Sequence, residues 1–200
     1  MSNNVIEKTE VMGGAKERIV NIPNFLTISR IFLAPIFIYA MINGKLLIAL
    51  ILFFIASATD LLDGFIARSF KSQTKFGKFI DPAADKFLMT IAYITLSIKH
   101  PNMIFTIPLW LTVLVIGRDL LIVSGSGILH LFNHKLVIDP LKTGKISTFA
   151  QILTIFLAIL LNYLGTYSIF FHISIILTAI LTVISGYLYV KVGILQLRKI

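Results

Sequence analysis

The sequence predicts an all-α, polytopic integral membrane protein with six transmembrane helices. Three observations lead there. Of the 200 residues 57% are hydrophobic and only 14% charged, against about 25% charged in a typical soluble domain. Apolar runs of spanning length recur along the chain, and the 18 Lys and Arg residues outnumber 9 acids with a strongly uneven placement. Such a chain is no water-soluble enzyme, disordered tail or disulfide-stapled secreted module, and it has no Cys at all.

Residues 1–20 form a polar arm in which Glu7, Glu10 and Glu17 balance Lys8, Lys16 and Arg18. The arm lacks the basic start and short apolar stretch of a cleavable signal, so the reading keeps it in the mature protein, ahead of a catalytic membrane domain over 21–200. At roughly 20 residues per span, the runs are Phe25–Ile42, Leu46–Phe65, Phe87–Ile98, Ile104–Leu129, Phe149–Leu164 and Ile169–Val190. The third is short, and Asp81 as N-cap with Pro82 at the first helical position would extend it. Asn43-Gly44, Pro101-Asn102 and Asn162 to Tyr167 read as tight turns. Longer basic connections follow Ala67 and Leu129. Only Lys45 and Lys99 fall on the side opposite the other cations, so the positive-inside rule predicts both termini on the cytoplasmic face.

After Glu17 the only acids are Asp60, Asp63, Asp81, Asp85, Asp119 and Asp139. Asp60 and Asp63 are spaced i, i+3 and Asp81 and Asp85 i, i+4, so each pair shares one helix face. Carboxylates at a membrane mark a site by default. Four together repel unless cations intervene, and all-oxygen ligation suits one or two Mg²⁺ or Mn²⁺ ions, a known arrangement for phosphoryl chemistry. Gly64, Ala67 and Gly77 clear space around them, and Arg68 stands where a phosphate would be met.

Residues 60–85 read D-LL-DG-FI-AR, then eight residues, then G-KFI-D-PAA-D. This resembles the full signature of the CDP-alcohol phosphotransferase family with every spacing intact. Asn21-Ile-Pro-Asn24, leading to Thr27 and Arg30, is similar to the opening of its phosphatidylglycerophosphate synthase and cardiolipin synthase branches. The resemblance covers roughly residues 21–190. It implies transfer of a phosphatidyl group from CDP-diacylglycerol to an alcohol with release of CMP, in a homodimeric protein of an inner or organelle membrane. By that analogy two divalent cations, Mg²⁺ or Mn²⁺, are held by Asp60, Asp63, Asp81 and Asp85, with Asp85 also the general base. CDP is bound by Asp60, Gly64, Ala67, Arg68 and Gly77, with Asn24, Thr27 and Arg30 lining the same pocket.

The acceptor is less legible. Arg118 lies within an apolar run and needs an anion, either Asp119 or another Asp, or the phosphate of an acceptor held together with Lys142 and Lys145. The second is favoured. Glycerol 3-phosphate, whose dianion suits several cations, is the favoured acceptor; the cation-free stretch Leu120–Leu129 resembles eukaryotic-type cardiolipin synthases and makes phosphatidylglycerol the alternative, with an inositol phosphate weaker.

Plainer readings cover the remaining features. His130, His134, His100 and His172 read as interfacial, Trp110, Tyr163, Tyr167, Tyr187 and Tyr189 as membrane-interface anchors, and Ser124 to Gly127 as a helix-packing or dimer seam. Lys71, Lys75 and Lys78 fit a cytoplasmic face attracted to anionic lipid, and nothing calls for nucleic acid. A divalent-cation transporter would show the Asp pairs in both halves, and a prenyl transferase a second Asp-rich motif. Neither pattern is present.

Overall fold

The computed structural model describes residues 22–70, 75–100, 102–132 and 142–197. These form six helices: α1 (Ile22–Ile42), α2 (Leu46–Phe70), α3 (Lys75–Ser97), α4 (Leu109–Phe132), α5 (Lys142–Leu164) and α6 (Ile169–Leu197). The described residues contain no strand. The expected all-α class holds. Among the described residues two helical segments, Thr143–Leu164 and Ile169–Leu195, are long and apolar enough to cross a membrane, and Phe32–Ile42, Leu46–Ala58 and Lys86–Ser97 are shorter apolar stretches.

The helices close into a ring, since α1 packs on α2, α2 on α5, α5 on α6, α6 on α4, α4 on α3, and α3 back on α1. Across its middle α3 touches α5, where the Tyr93 hydroxyl donates to the Gln151 carbonyl at 3.2 Å. Phe37, Met41, Phe53, Tyr93, Leu96 and Ile155 fill the centre. Ala34, Ala40, Ala49, Ala56 and Ala92 are all buried, and their small side chains let the first three helices approach closely. Large apolar side chains also face outward, among them Phe32, Phe54, Val113 and Phe170 at 60–68% exposure. In water this would be an aggregation surface, whereas a lipid environment accepts it.

The tight turns lie where the sequence puts them. Among the described residues Asn102, Gly44 and Gly165 are left-handed, at φ 68°, 66° and 65°. After α1 the Lys45 amide bonds the Ala40 carbonyl at 2.8 Å and the Gly44 amide the Met41 carbonyl at 3.1 Å, a Schellman closure that requires positive φ at Gly44. A Cβ on Gly44 would also stand 2.2 Å from Asn102 Nδ2, so glycine is demanded twice.

Two expected helix starts are corrected. Asp81 and Pro82 do not begin α3, which already runs from Lys75; a proline inside a membrane helix is tolerated when neighbouring helices compensate for its missing donor. The fourth helix starts at Leu109, not Ile104, because Pro108 disfavours helical geometry in the residue before it. The Pro108 carbonyl accepts from the Leu111 and Thr112 amides, and the extended stretch ahead of it is tied to Asn162 on α5.

Candidate active site

Asn24, Thr27 and Arg30 occupy the first turns of α1, Asp60, Asp63, Gly64, Ala67 and Arg68 the last turns of α2, and Gly77, Asp81 and Asp85 the first turns of α3. A tight turn joins α1 to α2 and residues 71–74 join α2 to α3, so these three ends lie at the same end of the bundle. Each Asp pair is within continuous helix, which puts its two members on one face. The side chains of these residues are outside the described set, as are that of Lys142 and the segment holding His134, Asp139 and Pro140.

The described chemistry at this end is built around Arg118 and Asp119, which are 7% and 6% exposed. Arg118 Nη1 donates to Asp119 Oδ1 at 2.8 Å. Lys86 Nζ, from α3, lies 2.8 Å from each Asp119 oxygen. On the far side Arg118 Nη2 donates to Ser185 Oγ at 2.6 Å, and the guanidinium carbon stands 5.6 Å from the Tyr189 ring centre. Gly144, on α5, fits against this group: a Cβ there would come within 3.1 Å of the Tyr189 hydroxyl and 3.2 Å of Arg118 Nη2. Four helices therefore meet at the Arg118–Asp119 pair.

Two cations share a single carboxylate there, and two buried donors remain unused: Arg118 Nε and Thr143 Oγ1 have no hydrogen-bond partner. Leaving buried donors unpaired costs about 1–3 kcal/mol each. An anion would satisfy these donors. Of the acceptor candidates, Arg118 sits in this cluster, paired with Asp119, and Lys145, the fourth residue of α5, is exposed.

From this cluster a buried polar seam runs along α5 and α6. Ser147 and Gln151 face Thr182, each at 3.4 Å, and Thr154 pairs with Thr178 at 2.8 Å. The signal was present as Thr178, Thr182, Ser185 and Tyr189, spaced by four, three and four on one helix face. Tyr189 is accordingly no plain membrane anchor, while Trp110, Tyr163, Tyr167 and Tyr187 are exposed as anchors require. A Cβ on Gly125 would meet nothing within 4 Å. His100 bonds the Thr95 carbonyl at 3.0 Å and His172 lies against Tyr167 and Phe171. Among the described residues no cluster of His, Asp or Glu is placed to hold a metal.

Between α2 and α5 lies a cavity of about 270 Å³ lined by Phe53, Phe54, Ala58, Phe149, Leu153 and Phe156. Its upper rim is Ala58, two residues before Asp60 on the same helix.

Residues 20–185 match the CDP-alcohol phosphatidyltransferase family. The chain belongs to that family. It is 36% identical over 177 residues to a CDP-diacylglycerol--glycerol-3-phosphate 3-phosphatidyltransferase of Haemophilus influenzae, covering 86% of this chain and 93% of that protein. A Rickettsia felis protein of the same description is 38% identical over 178 residues, covering 86% and 94%. A probable cardiolipin synthase (CMP-forming) of Drosophila melanogaster is 34% identical over 179 residues, 80% of this chain but 54% of that longer protein. The expected family is thereby shown, and with it a membrane-associated phosphatidyltransferase.

Proposed function

We propose that this protein transfers the phosphatidyl group of CDP-diacylglycerol to glycerol 3-phosphate, forming phosphatidylglycerophosphate and releasing CMP. The observation that carries the reading is the match to glycerol-3-phosphate phosphatidyltransferases over more than nine-tenths of their length. The buried cluster supports the acceptor: Arg118 Nε and Thr143 Oγ1 are buried and unpartnered, and such donors suit the phosphate of a small dianion.

In this reading six helices span the membrane with both termini cytoplasmic, the active site opens on that face, and the protein is a homodimer. Asp60, Asp63, Asp81 and Asp85 form an all-oxygen donor set, paired by helix periodicity on adjoining ends of α2 and α3, which fits two Mg²⁺ or Mn²⁺ ions. When bound, these ions stabilise charge on the phosphate oxygens. Gly64, Ala67, Gly77, Asn24 and Thr27 make room for and line the cytidine, while Arg68 and Arg30 meet the diphosphate. The apolar cavity between α2 and α5 takes part of one acyl chain of the donor. Arg118, Lys142 and Lys145 hold the acceptor phosphate.

Asp85 takes the proton of the acceptor hydroxyl. The freed oxygen attacks the lipid-side phosphorus, one P–O bond forms as the P–O bond to the CMP phosphate breaks, and CMP leaves. Phosphatidylglycerol is the second reading for the acceptor, favoured by the Drosophila relative and by the cation-free stretch 120–129.

Purified protein given CDP-diacylglycerol and Mg²⁺ or Mn²⁺ tests this directly by CMP release with glycerol 3-phosphate, phosphatidylglycerol, inositol 1-phosphate or no acceptor. Release that requires glycerol 3-phosphate is the expected result. Release that requires phosphatidylglycerol replaces the acceptor, and no release under any condition removes the transferase reading.

A further inference from the structure

Asp119 ties two helices together at this end. Its carboxylate is the common partner of Lys86 on α3 and Arg118 on α4, at 2.8 Å to each. Both it and Arg118 are buried, so separating the two would leave the guanidinium charge out of water without its carboxylate. Lys86 directly follows Asp85 in α3. Fixing Lys86 therefore fixes the rotation of the helical turn that carries Asp85, since neighbouring residues differ by a set angle about the axis.

The guanidinium is restrained in the same way. Asp119 takes Nη1, Ser185 takes Nη2, the Tyr189 ring stands beside the group and Gly144 leaves it space. With those directions filled, Nε is left as the buried donor without a partner. A planar fork held at two corners presents its third in one direction only.

We infer that Asp119 is a positioning residue for acceptor transfer, holding Arg118 and the Asp85-bearing turn of α3 in one register. The inference rests on the transferase reading above and adds to it the device that brings acceptor phosphate and general base into fixed relation. Neither end of that relation is set by local sequence. Lys86 and Asp119 are 33 residues apart, and Arg118 and Ser185 are 67 apart.

The test measures CMP release by the full-length wild type, Asp119→Asn and Ser185→Ala, varying acceptor at saturating CDP-diacylglycerol and then the reverse. The acceptor is whichever compound the wild type uses best. Asp119→Asn keeps the shape but gives up the charge; misplacement of a reacting group by about 1 Å costs on the order of a hundredfold, so kcat/KM for the acceptor is expected to fall roughly tenfold to a hundredfold. The KM for CDP-diacylglycerol stays within about twofold, since ground-state donor binding does not pass through this group. Ser185→Ala, which releases only the other corner of the guanidinium, raises acceptor KM by a smaller factor. A merely structural role would lower the active fraction and leave both KM values alone. That result, or wild-type acceptor kinetics in Asp119→Asn, overturns the inference and leaves the transferase reading standing. Should Asp119→Asn not fold, Ser185→Ala decides, and an unchanged acceptor KM there overturns it equally. A wild type that releases no CMP with any acceptor removes the transferase reading itself, and this inference with it.

Discussion

Asn162 and Arg118 are both buried polar side chains, 4% and 7% exposed, and the bundle treats them in opposite ways. Asn162, near the end of α5, uses all its capacity. Its Oδ1 accepts from the amides of Ile104 at 2.7 Å and Phe105 at 3.3 Å, while Nδ2 donates to the carbonyls of Phe105 at 3.0 Å and Ala158 at 2.8 Å. Arg118 packs against the start of the same helix, at Gly144, which at 1.5 Å per residue is about 27 Å away along α5. There one guanidinium nitrogen has no partner, and neither has Thr143 Oγ1. A side chain that fastens a loop is saturated; one poised for a ligand keeps donors in reserve.

The largest effect is expected from Arg118→Met. It leaves Asp119 paired with Lys86; breaking a buried pair costs about 3–5 kcal/mol, and acceptor-dependent turnover should fall by at least about a hundredfold. CMP release and detergent thermal unfolding measured side by side check this. Turnover near wild type would dissolve the contrast with Asn162. Asn162→Leu is the reciprocal case: the amides of Ile104 and Phe105 lose their acceptor, at about 1–3 kcal/mol for each buried group left bare. Thermal unfolding should shift strongly while the acceptor KM of the folded fraction stays put.

Smaller effects sharpen the comparison. Gly44→Ala forces a side chain onto positive φ and against Asn102, with an expected loss of about 1–3 kcal/mol and no kinetic change. Gly144→Ala places a Cβ 3.2 Å from Arg118 Nη2; the guanidinium must yield by tenths of an ångström, so acceptor kcat/KM should drop several-fold with little change in unfolding temperature. Gly125→Ala, with nothing within 4 Å, should be neutral or stabilise by up to about 1 kcal/mol through helix propensity. A marked loss there, measured by unfolding or by dimer dissociation, would reveal a contact from outside the chain.

Much of the fold was legible because it is local. Apolar runs announce helices whose backbone groups must be satisfied internally, and the turns at Gly44, Asn102 and Gly165 follow from residues that accept positive φ at low cost. The starts of α3 and α4 were misplaced because each turns on a proline whose effect depends on its surroundings: Pro82 is absorbed within a helix, and Pro108 ends an extended stretch tied down by Asn162. The Asp signature was legible for a different reason, since i, i+3 and i, i+4 spacing fixes a shared face whatever the rest of the chain does.

By itself the sequence determined the helical class, the turns, the carboxylate pairs and the presence of a buried arginine that needed an anion. It named Asp119 and the acceptor as rival partners for Arg118 and favoured the acceptor, whereas the structure pairs Arg118 with Asp119. Only the tertiary structure decided that Lys86 shares the carboxylate, that Ser185 and Tyr189 hold the guanidinium, and that Gly144 makes room for it. Those choices join α3, α4, α5 and α6. A turn depends on neighbours in sequence and can be read from them, whereas the partner of a buried charge is set by which helices the packing brings together.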